Sequence, residues 1–293
     1  MSASDVLVRT NEAPRFRVTA RLRDLWTHRE ILANLARKEL RVKYKSTLLG
    51  VAWSMLHPLL YLVVFYVVFT YFLPSGIPDF PVYLLSGLLP WTLFSTALGG
   101  ATASVTGNAQ LVPKVAFPRE VLPLAVIRAQ TVNFFFQFLV LVAFLVVFGY
   151  PLVHRGLILL PLALVVLLLF VAAIGFATAA LNVRYRDVTY LVELGLLAWF
   201  WGTPIVYPAS LVANNLGDTG FSIYLLNPVT NIVLTFQRAI YGGVSSEALG
   251  ELPAPGLRWY GFRALAVGAV SAVLLYVTWR LFFRRSGDFA EEL

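Results

Sequence analysis

The sequence predicts an all-α polytopic membrane protein with six transmembrane helices, an N-terminal amphipathic interfacial helix and re-entrant helices on the outer side. Composition is the first observation behind this class: 59% of the 293 residues are hydrophobic, 13% are charged, and the mean hydropathy is +0.76. A soluble domain averages about 45–50% apolar and about 25% charged residues. The excess of apolar residues excludes an ordinary soluble enzyme.

Long apolar stretches are the second observation, because a helix that crosses a bilayer needs about 20 mostly apolar residues. Six stretches qualify, at about 48–73, 82–106, 122–148, 157–181, 189–207 and 262–283. They form one transmembrane domain over 21–285, between a cytoplasmic tail at 1–20 that we expect to be flexible and a second cytoplasmic tail at 286–293. No continuous apolar run precedes Lys45, so no cleavable signal peptide is predicted.

The distribution of positive charge is the third observation. Of the 23 Lys and Arg residues, 19 lie in the two tails and in the loops on their side of the membrane, and 4 lie in the opposite loops. The positive-inside rule therefore predicts that both termini lie in the cytoplasm. The formal net charge of +8 sets topology, and we expect no nucleic-acid partner.

Two segments are too short or too charged to be spans. Residues 21–45 form one apolar and one basic helical face, which is typical of a helix lying among anionic headgroups; the alternative is a surface helix packed on protein. Residues 208–261 contain short apolar stretches broken at Asn227 and Pro228. These predict two re-entrant helices, or alternatively a small extracytoplasmic cap.

No catalytic constellation is present in the sequence. Cysteine is absent and the three histidines are far apart in the sequence, so we expect no metal site. No Gly-Lys pair occurs, which excludes a P-loop for ATP in this chain. Glu193 is essentially the only acidic residue within the spans, and one carboxylate does not make a proton relay.

Polar and aromatic residues within the spans are candidates for lining a solute path. Gln130, Asn133 and Gln137 share one helical face, for interhelical hydrogen bonding or for reading solute hydroxyl groups. Aromatic side chains could stack on sugars, or could simply anchor the helices at the membrane interface. The aromatic candidates are Trp91, Phe94, Phe134, Trp199, Trp201 and Tyr207.

Five collinear motifs resemble the membrane subunit of ATP-binding-cassette exporters of the polysaccharide and polyol-phosphate type. They lie at 37–58, 115–123, 181–188, 203–208 and 226–231, within a resemblance that covers about residues 22–285. Pro113, Ala116 and Glu39 depart from the family pattern, where lysine, an aromatic residue and aspartate are common. The first two departures affect the expected docking contacts.

The resemblance implies a homodimer around a channel, with two copies of a separate ATPase subunit that binds ATP and Mg; no cofactor is expected in this chain. The loop at 111–123 would be the ATPase-coupling loop and 182–188 a second cytoplasmic contact, while 22–45 would be a gate helix that meets a lipid diphosphate. The implied coupling residues are Val112, Pro113, Lys114, Phe117, Pro118, Arg119 and Glu120. The implied second-contact residues are Asn182, Arg184, Tyr185, Arg186 and Asp187. The implied gate residues are Arg37, Lys38, Arg41, Lys43 and Tyr44.

The expected function is therefore that of a transport subunit without its own ATPase, which exports a polysaccharide linked to a polyprenyl diphosphate. The other partners would be the lipid-linked polysaccharide and membrane lipids. Alternatives are a permease of the same fold that carries a lipid or drug, and a membrane-embedded glycosyl or acyl transferase. A transferase should show a cluster of acidic residues or histidine at a membrane edge, and the sequence shows none.

Overall fold

The computed structural model describes residues 16–45, 50, 52–72, 76–115, 117–254 and 256–293. Within these ranges the regular elements are helices, and no strand is formed. The predicted all-α class is confirmed.

Four helices are long and apolar enough to cross a bilayer: α4 (Phe80–Ala103), α5 (Val121–Val147), α6 (Leu159–Arg184) and α11 (Leu257–Arg285). At a rise of about 1.5 Å per residue they extend over about 36–44 Å. They correspond to the predicted spans at 82–106, 122–148, 157–181 and 262–283. A 3-10 turn, Arg155–Ile158, extends α6 at its start.

The other two predicted spans look different in the structure. Helix α3 (Ala52–Val67) continues as a π-helical turn, Val68–Phe72, and parts of the predicted span 48–73 lie outside the described residues. Helix α7 (Val188–Trp201) has 14 residues, fewer than a bilayer crossing requires. The predicted helix over 189–207 is wrong beyond Trp201, because Gly202 and Pro204 divert the backbone into an irregular segment at 202–207.

Helix α4 lies at the centre of the bundle and contacts α5, α6 and a later helix, α9 (Pro228–Ile240). Leu84, Phe94 and Ala97 are completely buried along it. Gly175 of α6 lets the two backbones approach closely, since a Cβ there would lie 3.1 Å from the Cβ of Ala101. Helix α11 packs along α6 on the far side.

The region predicted to re-enter the membrane folds as α8 (Ala209–Tyr224), α9 (Pro228–Ile240) and a short α10 (Ser246–Gly250). Helix α8 is kinked at Gly217, whose φ of +65° favours glycine. Helix α9 contacts α4, α6 and α11. Of the two short apolar stretches predicted to re-enter, at 221–226 and 229–240, the first lies mostly in the last turn of the longer helix α8, whereas the second lies in α9.

The predicted amphipathic helix 21–45 is two helices, α1 (Val18–Thr27) and α2 (Arg29–Tyr44), separated by a break at His28. Ala36 of α2 packs on Ala125 and Ala129 of α5. Of the predicted N-terminal tail, residues 1–15 lie outside the described residues, and Phe16 packs edge-on against Trp279. In the C-terminal tail, α12 (Phe289–Glu292) buries Phe289 against Phe282.

Candidate functional site

The α4–α5 loop, residues 104–120, contains the predicted coupling residues and divides into a buried part and an exposed tip. Val112 and Phe117 are 1% and 7% exposed, in a cluster with Phe282 and Phe289 from the C-terminal end of the chain. Phe117, one of the implied coupling residues, is therefore packed within the chain in this conformation. Its exposed tip consists of Gln110, Pro113, Lys114 and Val115, while Ala116 lies outside the described residues.

The charged residues at the end of this loop are held by protein contacts. Glu120 is 1% exposed, and Nε1 of Trp279 donates a hydrogen bond of 3.4 Å to its Oε1. Nη1 of Arg119 donates to the carbonyl of Phe117 at 2.8 Å, and its guanidinium lies 5.7 Å from the centre of the Phe117 ring. Pro118, between them, is partly buried. Removing one partner of a buried charged contact is costly, so these residues shape the loop.

The α6–α7 loop, residues 185–187, is joined to the α4–α5 loop by Asn182. The buried Nδ2 of Asn182 donates to Oγ1 of Thr106 at 3.1 Å, and its Oδ1 accepts from Oγ1 of Thr189 at 2.9 Å. One amide therefore connects the α4–α5 loop, through Thr106, with the start of α7. The other predicted residues of this loop are exposed, namely Arg184, Tyr185, Arg186 and Asp187.

The predicted gate residues lie on α2, which packs against the N-terminal half of α5. Arg37, Lys38 and Arg41 are exposed, and the side chains of Lys43 and Tyr44 fall outside the described part of the structure. Nζ of Lys38 donates a 2.7 Å hydrogen bond to Oδ1 of Asn108. The predicted gate helix and the predicted coupling loop are thus in direct contact, which the sequence pattern did not indicate.

The amide face of α5 is directed into protein. Asn133 and Gln137 are 3% and 5% exposed, and Nδ2 of Asn133 donates to Oε1 of Gln130 at 2.9 Å. This hydrogen bond lies within α5, and the burial of Asn133 and Gln137 places both amides in the packed interior of the bundle.

Several predicted aromatic residues form one packed cluster. The ring of Phe94, completely buried, lies 5.3 Å from Trp199 and 5.6 Å from Trp91, and Phe134 packs separately on Phe236 at 6.1 Å. Such ring contacts stabilise the core. Trp91 reaches a groove at the edge of this cluster, and Trp201 lines the same groove with 56% of its surface exposed.

This groove, of about 430 Å³, lies between α3, α4 and α7, and we call it the hydroxyl groove. Its polar groups are Thr92, Ser95 and Thr96 of α4 and the carboxylate of Glu193 on α7. Its remaining lining residues are apolar or aromatic: Tyr61, Phe65, Leu88, Trp91, Leu196, Leu197, Phe200 and Trp201. The three hydroxyl groups were not predicted as site residues from the sequence, although their i, i+3, i+4 spacing puts them on one helical face.

The backbone carbonyls of the irregular segment 202–207 accept hydrogen bonds from side chains of α4, α9 and the residue before α9. Oη of Tyr83 donates to the carbonyl of Tyr207 at 2.6 Å, and Nε2 of Gln237 donates to that of Pro204 at 2.8 Å. Nδ2 of Asn227 donates to the carbonyl of Gly202 at 3.2 Å. Non-helical backbone at membrane depth requires such partners. The motifs at 203–208 and 226–231 therefore serve the fold, and Tyr207 supports this segment.

Asn227 also organises the start of α9. Its Oδ1 accepts from the backbone nitrogen of Val229 at 3.0 Å, which caps the helix, and from Nε1 of Trp199 at 2.9 Å. The predicted aromatic candidate Trp199 is consequently tied to the protein at both its ring and its polar atom. No group of three histidine or acidic residues that could bind a metal is found in the described ranges.

Comparison with known proteins identifies the family. The model of the ABC-2 type transporter family matches residues 31–241. The O-antigen export system permease protein RfbA of Myxococcus xanthus is 31% identical over 274 residues, which cover 93% of this chain and 98% of the relative. RfbA of Klebsiella pneumoniae is 30% identical over 73% of the chain and 82% of the relative. The polysialic acid transport protein KpsM of Escherichia coli is 22% identical over 72% and 81%. The chain belongs to the ABC-2 type transporter family.

Proposed function

We propose that this membrane protein is the permease subunit of an ATP-driven exporter of polysaccharide linked to a polyprenyl diphosphate. The observation that carries the proposal is the match to an O-antigen export permease over nearly the whole length of both chains. Polysaccharide transport also appears in the name of the more distant relative, the polysialic acid transport protein. The proposed location is the bacterial inner membrane, with both termini cytoplasmic.

The hydroxyl groove supports a hydrated polymer as cargo. The three hydroxyl groups donate their protons to backbone carbonyls within α4, so toward a solute they act as acceptors. Together with the carboxylate of Glu193 they form a cluster of acceptors for sugar hydroxyls, and Trp91 and Trp201 offer flat surfaces. A permease for an apolar lipid or drug has no need of such groups. The groove therefore favours a glycan over those alternatives.

The proposed unit is a homodimer whose two hydroxyl grooves face each other. An ionisable residue that faces lipid is costly, so membrane proteins turn it toward protein or a water-filled cavity. Glu193 is exposed on α7, and every described residue of that helix is at least partly exposed. A second copy placed against α3 and α7 would enclose Glu193 and close the two grooves into one path.

Energy would enter through the α4–α5 loop, because this chain has no P-loop of its own. Two copies of a separate ATPase would bind ATP and Mg and contact the exposed tip at Pro113, Lys114 and Val115. The buried residues Phe117 and Glu120 join that tip to α11. Asn182 joins the start of the same loop, at Thr106, to the start of α7. A displacement of the tip would reach both helices through these contacts.

The helix α2 would act as the gate at the cytoplasmic entrance. Arg37 and Arg41 are one turn apart and exposed, a pairing that suits the diphosphate of a lipid-linked glycan. The contact between Lys38 and Asn108 would make the gate move with the coupling loop.

The proposal is tested by purification and reconstitution. An affinity-tagged chain should retain a soluble ATPase subunit, and proteoliposomes that contain both should translocate a lipid-linked glycan only with ATP. Translocation by the chain alone, or a purified chain that carries no ATPase and shows no export when one is supplied, would overturn the proposal.

Two exposed valines at opposite ends of α5 provide a matched pair of variants. Val115, in the α4–α5 loop, is 43% exposed and Val153, beyond the other end of α5, is 89% exposed. We expect Val115→Asp to reduce retention of the ATPase at least tenfold, because a charge enters the apolar docking surface. Val153→Asp should retain it fully. Equal retention by the two variants would remove the docking role of the tip.

A further inference from the structure

A second groove lies on a different side of the bundle and shares no lining residue with the hydroxyl groove. It has a volume of about 570 Å³ and runs between α5 and α6, with Leu32 of α2 and Leu275 of α11 at its edges. We call it the Arg128 groove. Apart from Arg128 and Thr131, its lining residues are apolar: Leu32, Leu124, Ile127, Val132, Phe135, Val165, Leu168, Leu169, Ala172 and Leu275.

This groove opens toward the surrounding membrane. Phe135 and Val165, on its two walls, are 51% and 55% exposed. Oγ1 of Thr131 donates to the carbonyl of Ile127 at 2.8 Å, so its hydroxyl proton is used within α5. The walls therefore fit a hydrocarbon chain, and they offer no polar patch that suits a sugar.

Arg128 places one positive charge at the groove. It is exposed, and within the described residues no hydrogen bond or ion pair joins its guanidinium to the protein. Arg128 lies seven residues after the start of α5, about 10 Å along the helix. A cation at that depth extends toward the interface and is stabilised by an anionic partner.

Helix α2, which packs beside Arg128, indicates the depth at which that charge lies in the membrane. Ala36 of α2 packs on Ala125 and Ala129 of α5, which flank Arg128 in sequence, and Leu32 lines the groove. Helix α2 has exposed apolar residues such as Val42 and exposed basic residues such as Arg37, which is typical of a helix at the interface between headgroups and acyl chains. The charged end of the groove therefore lies where lipid phosphates are found.

We propose that the Arg128 groove binds an anionic phospholipid of the cytoplasmic leaflet, with one acyl chain along α5 and α6 and its phosphate on the Arg128 guanidinium. Basic pockets between transmembrane helices on the cytoplasmic side bind acidic headgroups in this way. A phosphate accepts charge-assisted hydrogen bonds from an arginine fork. The inference uses the proposed orientation in the membrane, and it does not depend on the exported cargo.

Native mass spectrometry of the purified full-length protein tests the site, with phosphatidylglycerol and phosphatidylcholine as probes. The wild-type protein should bind phosphatidylglycerol about fivefold more tightly than phosphatidylcholine, the ratio expected for one cation at the surface. Arg128→Gln should abolish that preference. The matched control is Arg280→Gln, which removes an exposed arginine of α11 outside this groove and should keep it.

A second variant tests the acyl-chain position. Val165→Trp should lower the affinity for both phospholipids by filling the groove, because its partly exposed position allows the larger ring without disturbing the core. An Arg128→Gln protein that keeps the preference, or an Arg280→Gln protein that loses it equally, would overturn the site. Retention of a prenyl diphosphate glycan in the groove instead of a phospholipid would also overturn it. None of these measurements uses ATP or export, so failure of the site is distinguishable from failure of the proposed function.

Discussion

Helices α7 and α9 have nearly equal lengths, 14 and 13 residues, but opposite surroundings. Residues Val229–Ile240 of α9 are all buried, enclosed by α4, α6 and α11. In α7 no residue is buried, and Leu191, Leu194 and Leu197 are each 64–65% exposed. Neither helix is long enough to cross a bilayer.

The difference shows that apolar content alone does not decide how a short helix is used. The polar residues Gln237 and Asn231 of α9 serve the fold, with their amides donating to backbone carbonyls of Pro204 and Leu225. On α7, Glu193 faces the hydroxyl groove. The side chains of α9 therefore make their contacts within one chain. Those of α7 are exposed, and in the proposed homodimer this surface faces a second copy and the cargo.

The largest expected effect is on stability and falls on α9. Phe236 is completely buried and packs edge-on against Phe134. Phe236→Ala should lower the free energy of unfolding by about 3–5 kcal/mol through loss of burial and formation of a cavity. Leu194→Ala on α7 should change it by less than about 0.5 kcal/mol. Denaturant unfolding in detergent measures the free energy of unfolding of both variants. Equal decreases in the two would contradict the contrast between α9 and α7.

A smaller loss is expected at the start of α9. Asn227→Ala removes the helix cap, the acceptor for Trp199 and the donor to Gly202, at a cost of about 2 kcal/mol. The control is Asn215→Ala, since the Asn215 amide donates only to the carbonyl of Leu211 within α8. A shift in unfolding midpoint as small for Asn227→Ala as for the control would show that the cap contributes little.

The smallest expected effect concerns the pH dependence of stability at the C-terminal end of α9. The ring of His154 lies against Gly156 and Gly243, where an added Cβ would overlap it, and Nδ1 of His154 accepts from the backbone nitrogen of Gly156 at 3.2 Å. Burial and then the nearby Arg238 lower the pKa of His154 below its ordinary value of 6.5, and a hydrogen bond with the backbone of Ile240 opposes them.

The unfolded chain binds a proton on His154 more tightly than the folded protein does. The contribution of neutral His154 to stability is therefore complete above pH 6.5 and is lost as pH falls below that value. The apparent unfolding temperature of the protein should therefore decrease when the pH is lowered from 7.5 to 5.5. His154→Gln, whose amide oxygen can still accept from Gly156, should reduce that decrease. An unchanged pH dependence in this variant would assign the effect to other groups.

The long spans were predictable from sequence, and the breaks between helices were less so. Continuous apolar runs identify α4, α5, α6 and α11 because length and composition suffice. The break at His28 has no Gly or Pro to mark it. After Trp201, Gly202 and Pro204 indicate the end of a helix. The mostly apolar residues that follow led to the prediction that the span continues to 207.

The candidate site was less predictable because it depends on contacts between distant residues. Burial of Phe117 results from Phe282 and Phe289, more than 160 residues away. The contacts of Lys38 with Asn108 and of Asn182 with Thr106 likewise join separate segments. The residue types of the α4–α5 and α6–α7 loops were recognisable in the sequence. Which of their side chains support the fold and which remain exposed could be seen only from the packing of α11 and α12.

The central claim is that α3 and α7 of two copies face each other across the transport path, and cysteine cross-linking in membranes tests it most directly. The chain has no native cysteine, so a flexible bis-maleimide reacts only at an introduced thiol. Leu197 lines the hydroxyl groove and is 65% exposed, and Leu265 on α11 is 60% exposed. We predict a cross-linked dimer for Leu197→Cys and a monomer for Leu265→Cys. A dimer at Leu265→Cys together with a monomer at Leu197→Cys would contradict this account.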